Sequence, residues 1–284
     1  MMYLFENNKE FKQNNLAGCY QNSDLLHQSK LYTIKNDEEF KQNNLVGWYE
    51  NSDFWLQGKM RHIKDIYDFT GNEIQNILLK SQSLGRKTLV DIGCGEGWIL
   101  RLLKEKGIDI NYIGVDFNSK FIDTLKEKYK GIDNVEFLCM DIENPVPDWL
   151  YGYADIAVNL FNFFEIPNID SGFANTCKMI KKNGYLLIVS IDPIMQILAI
   201  SDDHKTFISN LKKYEKHSNS LGYDKDIDIG DQKSGRVYRG ILYSNATYVR
   251  LAKKNNLVLD DYKEVIKTGN YIPQIYQFLY LIKL

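Results

Sequence analysis

From residue 88 to residue 191 short apolar runs alternate with amphipathic stretches of ten to fifteen positions. The run 89–92 is uniformly apolar but for one Asp and ends in glycines, which predicts a buried strand followed by a tight turn. Ile99, Leu102 and Leu103 share one face of a helix expected over 97–107. Residues 111–116 predict a second strand, 119–130 a helix with Ser119 as its N-cap, 134–140 a third strand and 154–159 a fourth. A helix over 169–182 and a fifth strand over 184–191 follow. Strands alternating with helices in this way imply a parallel sheet with helices on both faces.

The flanks read differently. Residues 60–83 place Ile63, Ile66, Tyr67, Ile74, Ile77 and Leu78 at helical spacing, with Gly71 expected to interrupt the helix. Between 192 and 240 the strand pattern lapses: 204–217 predicts a helix and 221–235 a polar loop, so the segment reads as an insertion capping the substrate side of the sheet. Helix returns over 245–255, and strands over 257–265 and 275–283. Before residue 60 the chain repeats itself: 10–30 and 39–59 are nearly the same sequence at an offset of 29. Two copies are too few for a solenoid. The division expected is an N-terminal arm over 1–59 and a main domain over 60–284 with 192–240 as its cap. The second copy carries Trp48, Phe54 and Trp55 where the first has Cys19, Leu25 and Leu26, so the second is expected to pack on the main domain.

Composition narrows the partners. Of 284 residues, 44% are hydrophobic and 25% charged, an ordinary globular balance, and the net charge of −2 gives no overall pull toward nucleic acid or an anionic membrane. No apolar run reaches the length of a membrane span, and no signal-peptide pattern opens the chain, so the expected compartment is the cytoplasm. Cys19, Cys94, Cys139 and Cys177 are far apart, without metal-ligand spacing or a His nearby, so neither a disulfide framework nor a metal site is expected.

The chemistry sits at the strand ends. Asp91-Ile-Gly93-Cys94-Gly95-Glu-Gly97 joins a strand to a helix, so the backbone turns tightly and the helix N-terminus faces whatever binds there. The glycine spacing is not that of a dinucleotide site, which would need Gly where Trp98 stands, and the Lys-Ser/Thr of a phosphate loop is absent. Asp116 ends the second strand, where a carboxylate can accept from both ribose hydroxyls. Asp141 and Ile142 end the third, suited to an amino edge and a ring face.

With these three strand ends in order, the chain resembles the class I S-adenosylmethionine-dependent methyltransferases. VDIGCGEG, IGVDFNS and LCMDIEN match the family's first three motifs, and ADIAVNLFNFFE and KNGYLLIVS its later strands. The resemblance implies a Rossmann-like α/β fold: a seven-stranded, mostly parallel sheet with the last strand antiparallel. It also implies S-adenosyl-L-methionine as cofactor and S-adenosyl-L-homocysteine as product. On that resemblance Gly93, Gly95 and Gly97 lie against the methionine moiety and ribose, with Cys94 among the cofactor contacts, Asp91 orients the loop and the amino group, Asp116 holds the ribose, Phe117, Asp141 and Ile142 the adenine, and Asn159 the region of the amine. Tyr49 would close over the cofactor.

Methyl transfer from a sulfonium is an in-line displacement, so the site must align the reactants and exclude water. Aromatic walls suit a cationic methyl group, and Trp48, Trp55, Phe161 and Phe164 are the expected substrate contacts. No general base stands out. Glu165, Tyr238 and Tyr243 are the catalytic candidates, ahead of His62, His204 and His217. The residues after the fourth strand, Asn159-Leu-Phe-Asn162, lack the Asp/Asn-Pro-Pro-aromatic signature of nucleobase-amino methyltransferases. The expected acceptor is an O or N atom of a small molecule. The alternatives are RNA or protein methylation, with 205–217 as the basic segment, and a non-catalytic cofactor-binding interaction protein. The aromatic arm is compatible with a homodimer contact.

Overall fold

The computed structural model describes residues 30–50, 52–56, 64–80, 87–201, 203–217, 221–229, 232–267 and 274–284. The first repeat copy, save Lys30, and His62 lie outside them. So do the side chains of Phe54, Trp55 and Tyr238.

The elements in chain order are β1 (Lys30–Thr33), α1 (Asp37–Glu50), α2 (Ser52–Leu56), α3 (Lys64–Lys80), β2 (Thr88–Ile92), α4 (Trp98–Glu105), β3 (Asn111–Asp116), α5 (Ser119–Lys128) and β4 (Val135–Cys139). Then come β5 (Ala154–Leu160), α6 (Ile169–Met179), β6 (Ile180–Ile191), α7 (Pro193–Ala199), α8 (His204–His217), β7 (Leu221–Ile229), β8 (Gln232–Ile241), α9 (Asn245–Lys254), β9 (Leu257–Lys267) and β10 (Gln274–Lys283).

Seven strands form one sheet in the order β4-β3-β2-β5-β6-β10-β9. β2 pairs in parallel with β3 and β5, while β10 runs antiparallel to both β6 and β9. This is the expected α/β sheet with its last strand reversed. Strand order turns back between β2 and β5, and in open α/β sheets ligands bind in the crevice outside the carboxyl ends at such a point. The sheet is covered on both faces. Val90 and Ile92 pack on one side with Phe173 of α6 and Leu251 of α9. Leu89 packs on the other with Ile74 of α3 and Leu103 of α4. Burial on both faces is why β2 reads as a continuous apolar run. Among the described residues no helix is long and apolar enough to cross a membrane.

Several local expectations are corrected. Gly71 does not interrupt α3; it is where α3 and α4 touch, and a Cβ there would strike the Leu102 side chain. The N-cap of α5 is Asn118, whose side chain accepts from the Lys120 amide, and Ser119 is the first helical residue. The helix expected to run to 182 ends at Met179, and Ile180 already pairs with Ala154.

The largest correction concerns 221–235, expected as a loop. It belongs to the antiparallel hairpin β7–β8, which β1 joins as a third strand. The register sets Asp224 opposite Arg239 and Asp228 opposite Lys233. Charged residues along both strands erase the apolar alternation that marks a strand in sequence. Gly222 and Gly240 admit the rings of Tyr32 and Tyr223, which a Cβ would block at 2.7 and 2.6 Å. Leu221, Tyr223, Ile197 and Phe207 form a separate small core beneath this hairpin.

Candidate functional site

The turn after β2 is built from left-handed backbone, with φ of 73° at Gly93, 51° at Gly95 and 75° at Gly97. Side chains other than glycine adopt that region only at a cost of about 1–2 kcal/mol. The Gly93 and Cys94 amides both donate to the Val115 carbonyl, at 2.8 and 2.9 Å, which pins the turn to the tip of β3. The Gly95 amide donates to Asp116 Oδ2 at 2.9 Å. Gly97 is the N-cap of α4 and offers no side-chain cap, so the first amides of that helix are left for water or a ligand.

Asp116 closes the turn from the other side. Its second oxygen accepts from the Asn118 amide at 2.9 Å, and burial pushes its pKa up to about 6, against the lowering effect of the backbone amides. Asp91 sits beneath the turn, 2% exposed, where burial pushes its pKa up to about 7 although Tyr112 donates to it at 2.6 Å. It anchors the floor and does not line the slot described next.

Tips of four strands converge on one slot. Gly93 follows β2, Asp116 and Phe117 end β3, Met140, Asp141 and Ile142 follow β4, and Asn162 follows β5. The slot holds about 510 Å³ of empty space, its open solvent mouth included. Its far wall is Glu165, Ile166 and Pro167, and its near wall is α1, through Lys41 and Asn44.

Helix α1 is strapped over the slot by polar contacts. Lys41 bridges Asp141 and Glu143, at 2.5 and 2.6 Å. Burial alone would lower the Lys41 pKa, but hydrogen bonds to both carboxylates outweigh it and hold the ammonium charged. Trp48 Nε1 donates to Glu165 Oε2 at 2.5 Å, and Asn118 Nδ2 donates to Ser52 Oγ at 2.9 Å. Phe40 buries its ring in the main core beside these contacts.

The remaining expected site residues fall in different places. Phe161 is left-handed, φ 57°, and its ring meets Phe164, Tyr67 and Tyr276 at centroid distances of 6.4, 6.5 and 5.7 Å. Asn159 is fully buried and occupied locally, accepting from the Phe163 amide and donating to Asn162. Tyr49 is 53% exposed with the Lys120 ammonium over its ring, and it is not part of the slot lining. Tyr243 is buried and donates its hydroxyl to the Ile166 and Pro167 carbonyls at 2.9 and 3.2 Å, with its pKa driven up by burial. His204 and His217 sit at the two ends of α8, and neither lines the slot.

Sequence reasoning did not single out Lys41, Asn44, Met140, Glu143 or Asn162. A signal for the first two exists: Lys41, Asn44 and Trp48 recur at helical spacing on one face of α1. That face is polar because it meets a polar slot, so hydrophobic periodicity does not reveal it.

The residues fit a nucleoside-bearing cofactor on two counts. A Cβ built on Gly95 would meet nothing within 4 Å, so the turn faces open space there, while the same atom on Gly93 or Gly97 would collide with Asn162 or Leu125. The Nδ2 donor of Asn44, a residue of the slot wall, is also buried with no hydrogen-bond partner.

Comparison with known proteins agrees with this geometry. The family profile described as "Methyltransferase domain" matches residues 90–188. The 235L protein of Invertebrate iridescent virus 6, which carries a methyltransferase name, is 33% identical over 183 residues, covering 61% of this chain and 64% of the relative. A malonyl-[acyl-carrier protein] O-methyltransferase of Halalkalibacterium halodurans is 22% identical over 223 residues, covering 69% of this chain and 81% of that one. The chain thus spans less than two thirds of the viral relative's length. Among solved structures, a SAM-dependent methyltransferase of Methanosarcina mazei superposes with a TM-score of 0.55 at 15% identity, over 73% of this chain and 97% of that one. The magnesium protoporphyrin IX methyltransferase of Synechocystis, solved with bound S-adenosylhomocysteine, superposes at 0.54 with 14% identity, over 86% of this chain and all of that one. At those identities the superpositions speak for the fold. Taken with the profile matched over β2 to β6, they show that this part of the chain is similar to a methyltransferase domain and that its fold is one also seen in S-adenosylmethionine-dependent methyltransferases.

Proposed function

We propose that this chain transfers the methyl group of S-adenosylmethionine to an oxygen or nitrogen atom of a small-molecule acceptor. The observation that carries the reading is the slot itself: the glycine turn, Asp116 and Asp141 surround one cavity at the switch point of the sheet. In it, Asp116 accepts from the ribose hydroxyls, Phe117 and Ile142 flank the base, and Asp141 faces the adenine amino edge. The Gly93–Gly97 turn and the uncapped start of α4 receive the amino-acid end.

The bound cofactor supplies an electrophilic methyl group. What the protein must add is alignment and dryness, since the displacement is in line and water competes as nucleophile. Helix α1 serves both ends: its Trp48–Glu165 contact roofs the slot, and Lys41 ties it to the nucleoside end. Phe161 and Phe164 form an apolar shelf at the tip of β5, suited to a partly apolar acceptor. Glu165 is the described carboxylate on the far wall and the candidate to take the acceptor's proton. The segment 192–240 forms the acceptor-side cap. Supporting that placement, Tyr243, just past β8, bonds to the carbonyls of slot-lining Ile166 and Pro167.

An oxygen acceptor also accords with the H. halodurans relative, whose name is that of an O-methyltransferase. The test is calorimetric binding of S-adenosylhomocysteine, followed by S-adenosylmethionine consumption against a panel of carboxylic acids, phenols and amines. Binding with turnover on one class supports the proposal. No binding of the homocysteine product, or turnover only on RNA or protein, overturns it.

A further inference from the structure

Helix α1 presents the slot with a donor that nothing in the protein answers. Asn44 is 8% exposed, lines the slot, and holds its Nδ2 buried without a hydrogen-bond partner. Leaving a buried donor unmatched is costly, so a site that keeps one is matched by something outside the chain. The charged groups at the tips of β3 and β4 are engaged. Lys41 is taken up by Asp141 and Glu143, Asp141 Oδ1 accepts from the Glu143 amide, Glu143 Oε1 accepts from the Asn168 amide, and Asp116 accepts from Gly95 and Asn118.

The position of Asn44 says which part of a ligand it would meet. The slot it shares is bounded by Asp116, Phe117, Met140 and Asp141, the tips of β3 and β4. Those carboxylates can only accept when ionised, so they serve hydroxyl and amino hydrogens of a nucleoside. A nucleoside also carries ring nitrogens and ribose oxygens that need donors. Lys41 is spent on carboxylates, and the Asn44 amide is a buried donor in the same slot that can supply one.

We propose that Asn44 is a ligand-binding residue that donates from Nδ2 to an acceptor atom on the nucleoside half of the cofactor, so that α1 helps read the nucleoside as well as covering it. This rests on the nucleoside-bearing cofactor proposed above. Lys41 is then a positioning residue: its bridge to Asp141 and Glu143 sets the depth of α1 and hence the reach of Asn44.

The test uses the full chain, with S-adenosylhomocysteine and adenosine as separate probes in calorimetry, and thermal unfolding of the ligand-free protein as a second readout. Asn44→Leu fills the same volume without the donor. It should weaken both probes by roughly five- to tenfold. It should also raise the ligand-free Tm by about 2–4 °C, because an unmatched buried donor is removed. Asn43→Leu is the control for helix propensity: Asn43 is exposed on the same helix, outside the slot, and its variant should bind both probes as wild type does. Should Asn44→Leu fail to fold, Asn44→Ala must show the same loss for both probes. Wild-type binding with an Asn44 variant within twofold of it overturns this inference and leaves the cofactor reading intact. So does weakened homocysteine-product binding with adenosine unaffected, or a lowered Tm alongside the weakened binding, which marks a structural role. A wild type that binds neither probe overturns both readings.

Discussion

Trp48 Nε1 donates to Glu165 Oε2 at 2.5 Å, joining residues 117 positions apart across the mouth of the slot. One contact thereby couples the helix that covers the cofactor site to the carboxylate proposed to serve the acceptor. Glu165→Gln separates the two roles. Glutamine keeps an oxygen that accepts from the indole but cannot take a proton. Affinity for S-adenosylhomocysteine should stay within about threefold, while turnover falls about 10²-fold. Unchanged turnover would leave Glu165 as a latch only.

Gly95 and Gly93 share a left-handed backbone but face different things, which makes a sharper test of the cradle than either alone. Gly95→Ala adds its methyl group to open space, so stability should drop only by the backbone cost of about 1–2 kcal/mol while S-adenosylhomocysteine binding is lost or severely weakened. Gly93→Ala drives its methyl into the Asn162 side chain at 2.5 Å and should lower Tm more. Chemical denaturation paired with calorimetry reads both. Equal stability losses, or full binding by Gly95→Ala, would argue against the turn as the ligand's seat.

Asp116 has both oxygens engaged by main-chain amides of the turn and of α5. Asp116→Ala therefore removes the ribose acceptor and loosens the turn together. Binding of S-adenosylhomocysteine should weaken by roughly 1.5–3 kcal/mol, the worth of charge-assisted hydrogen bonds. Adenosine should lose affinity in parallel and methionine should not. An adenosine Kd unmoved by the change would remove the ribose role.

Burial raises the carboxyls of Asp91 and Asp116, to about 7 and about 6, above an unfolded value near 3.9. A raised carboxyl binds its proton more tightly in the folded state. Its contribution is greatest at low pH and is lost as pH climbs through the folded value. The ligand-free protein should thus gain thermal stability from these two groups as pH falls from about 7.5 to 5.5. Ligand binding should show the opposite sign, because ribose hydroxyls donate to the ionised form of Asp116. The Kd for S-adenosylhomocysteine should rise as pH drops below about 6. A Kd flat from pH 5.5 to 7.5 would mean that the ligand does not engage the Asp116 carboxylate.

Much of the fold was legible in the sequence because the sheet is buried on both faces. Burial forces apolar residues at successive positions of β2, β3, β5 and β6, and the glycine turn with acids at neighbouring strand tips follows from local backbone and hydrogen-bond chemistry. Those features need no knowledge of distant neighbours. The hairpin β7–β8 was not legible, since its ladder faces opposite charges across the strands and its partner β1 lies 188 residues before β7's first pair, Leu221 with Thr33. Gly71 was misread for the same reason: only the packed Leu102 explains it.

The floor of the candidate site was thus set by sequence, and its roof by tertiary structure. Asp91, Gly93, Gly95, Gly97, Asp116 and Asp141 sit at the ends of successive strands of one alternating β–α pattern, and the contacts of the first five reach only to the adjacent strand, so their placement follows from that pattern. Lys41, Asn44 and Trp48 acquire meaning only when α1 lies across strand tips about a hundred residues away. A polar face on a helix looks like a solvated surface until another polar surface is brought against it, and that encounter is decided by where the core receives Phe40 of α1, which the periodicity of the helix does not reveal.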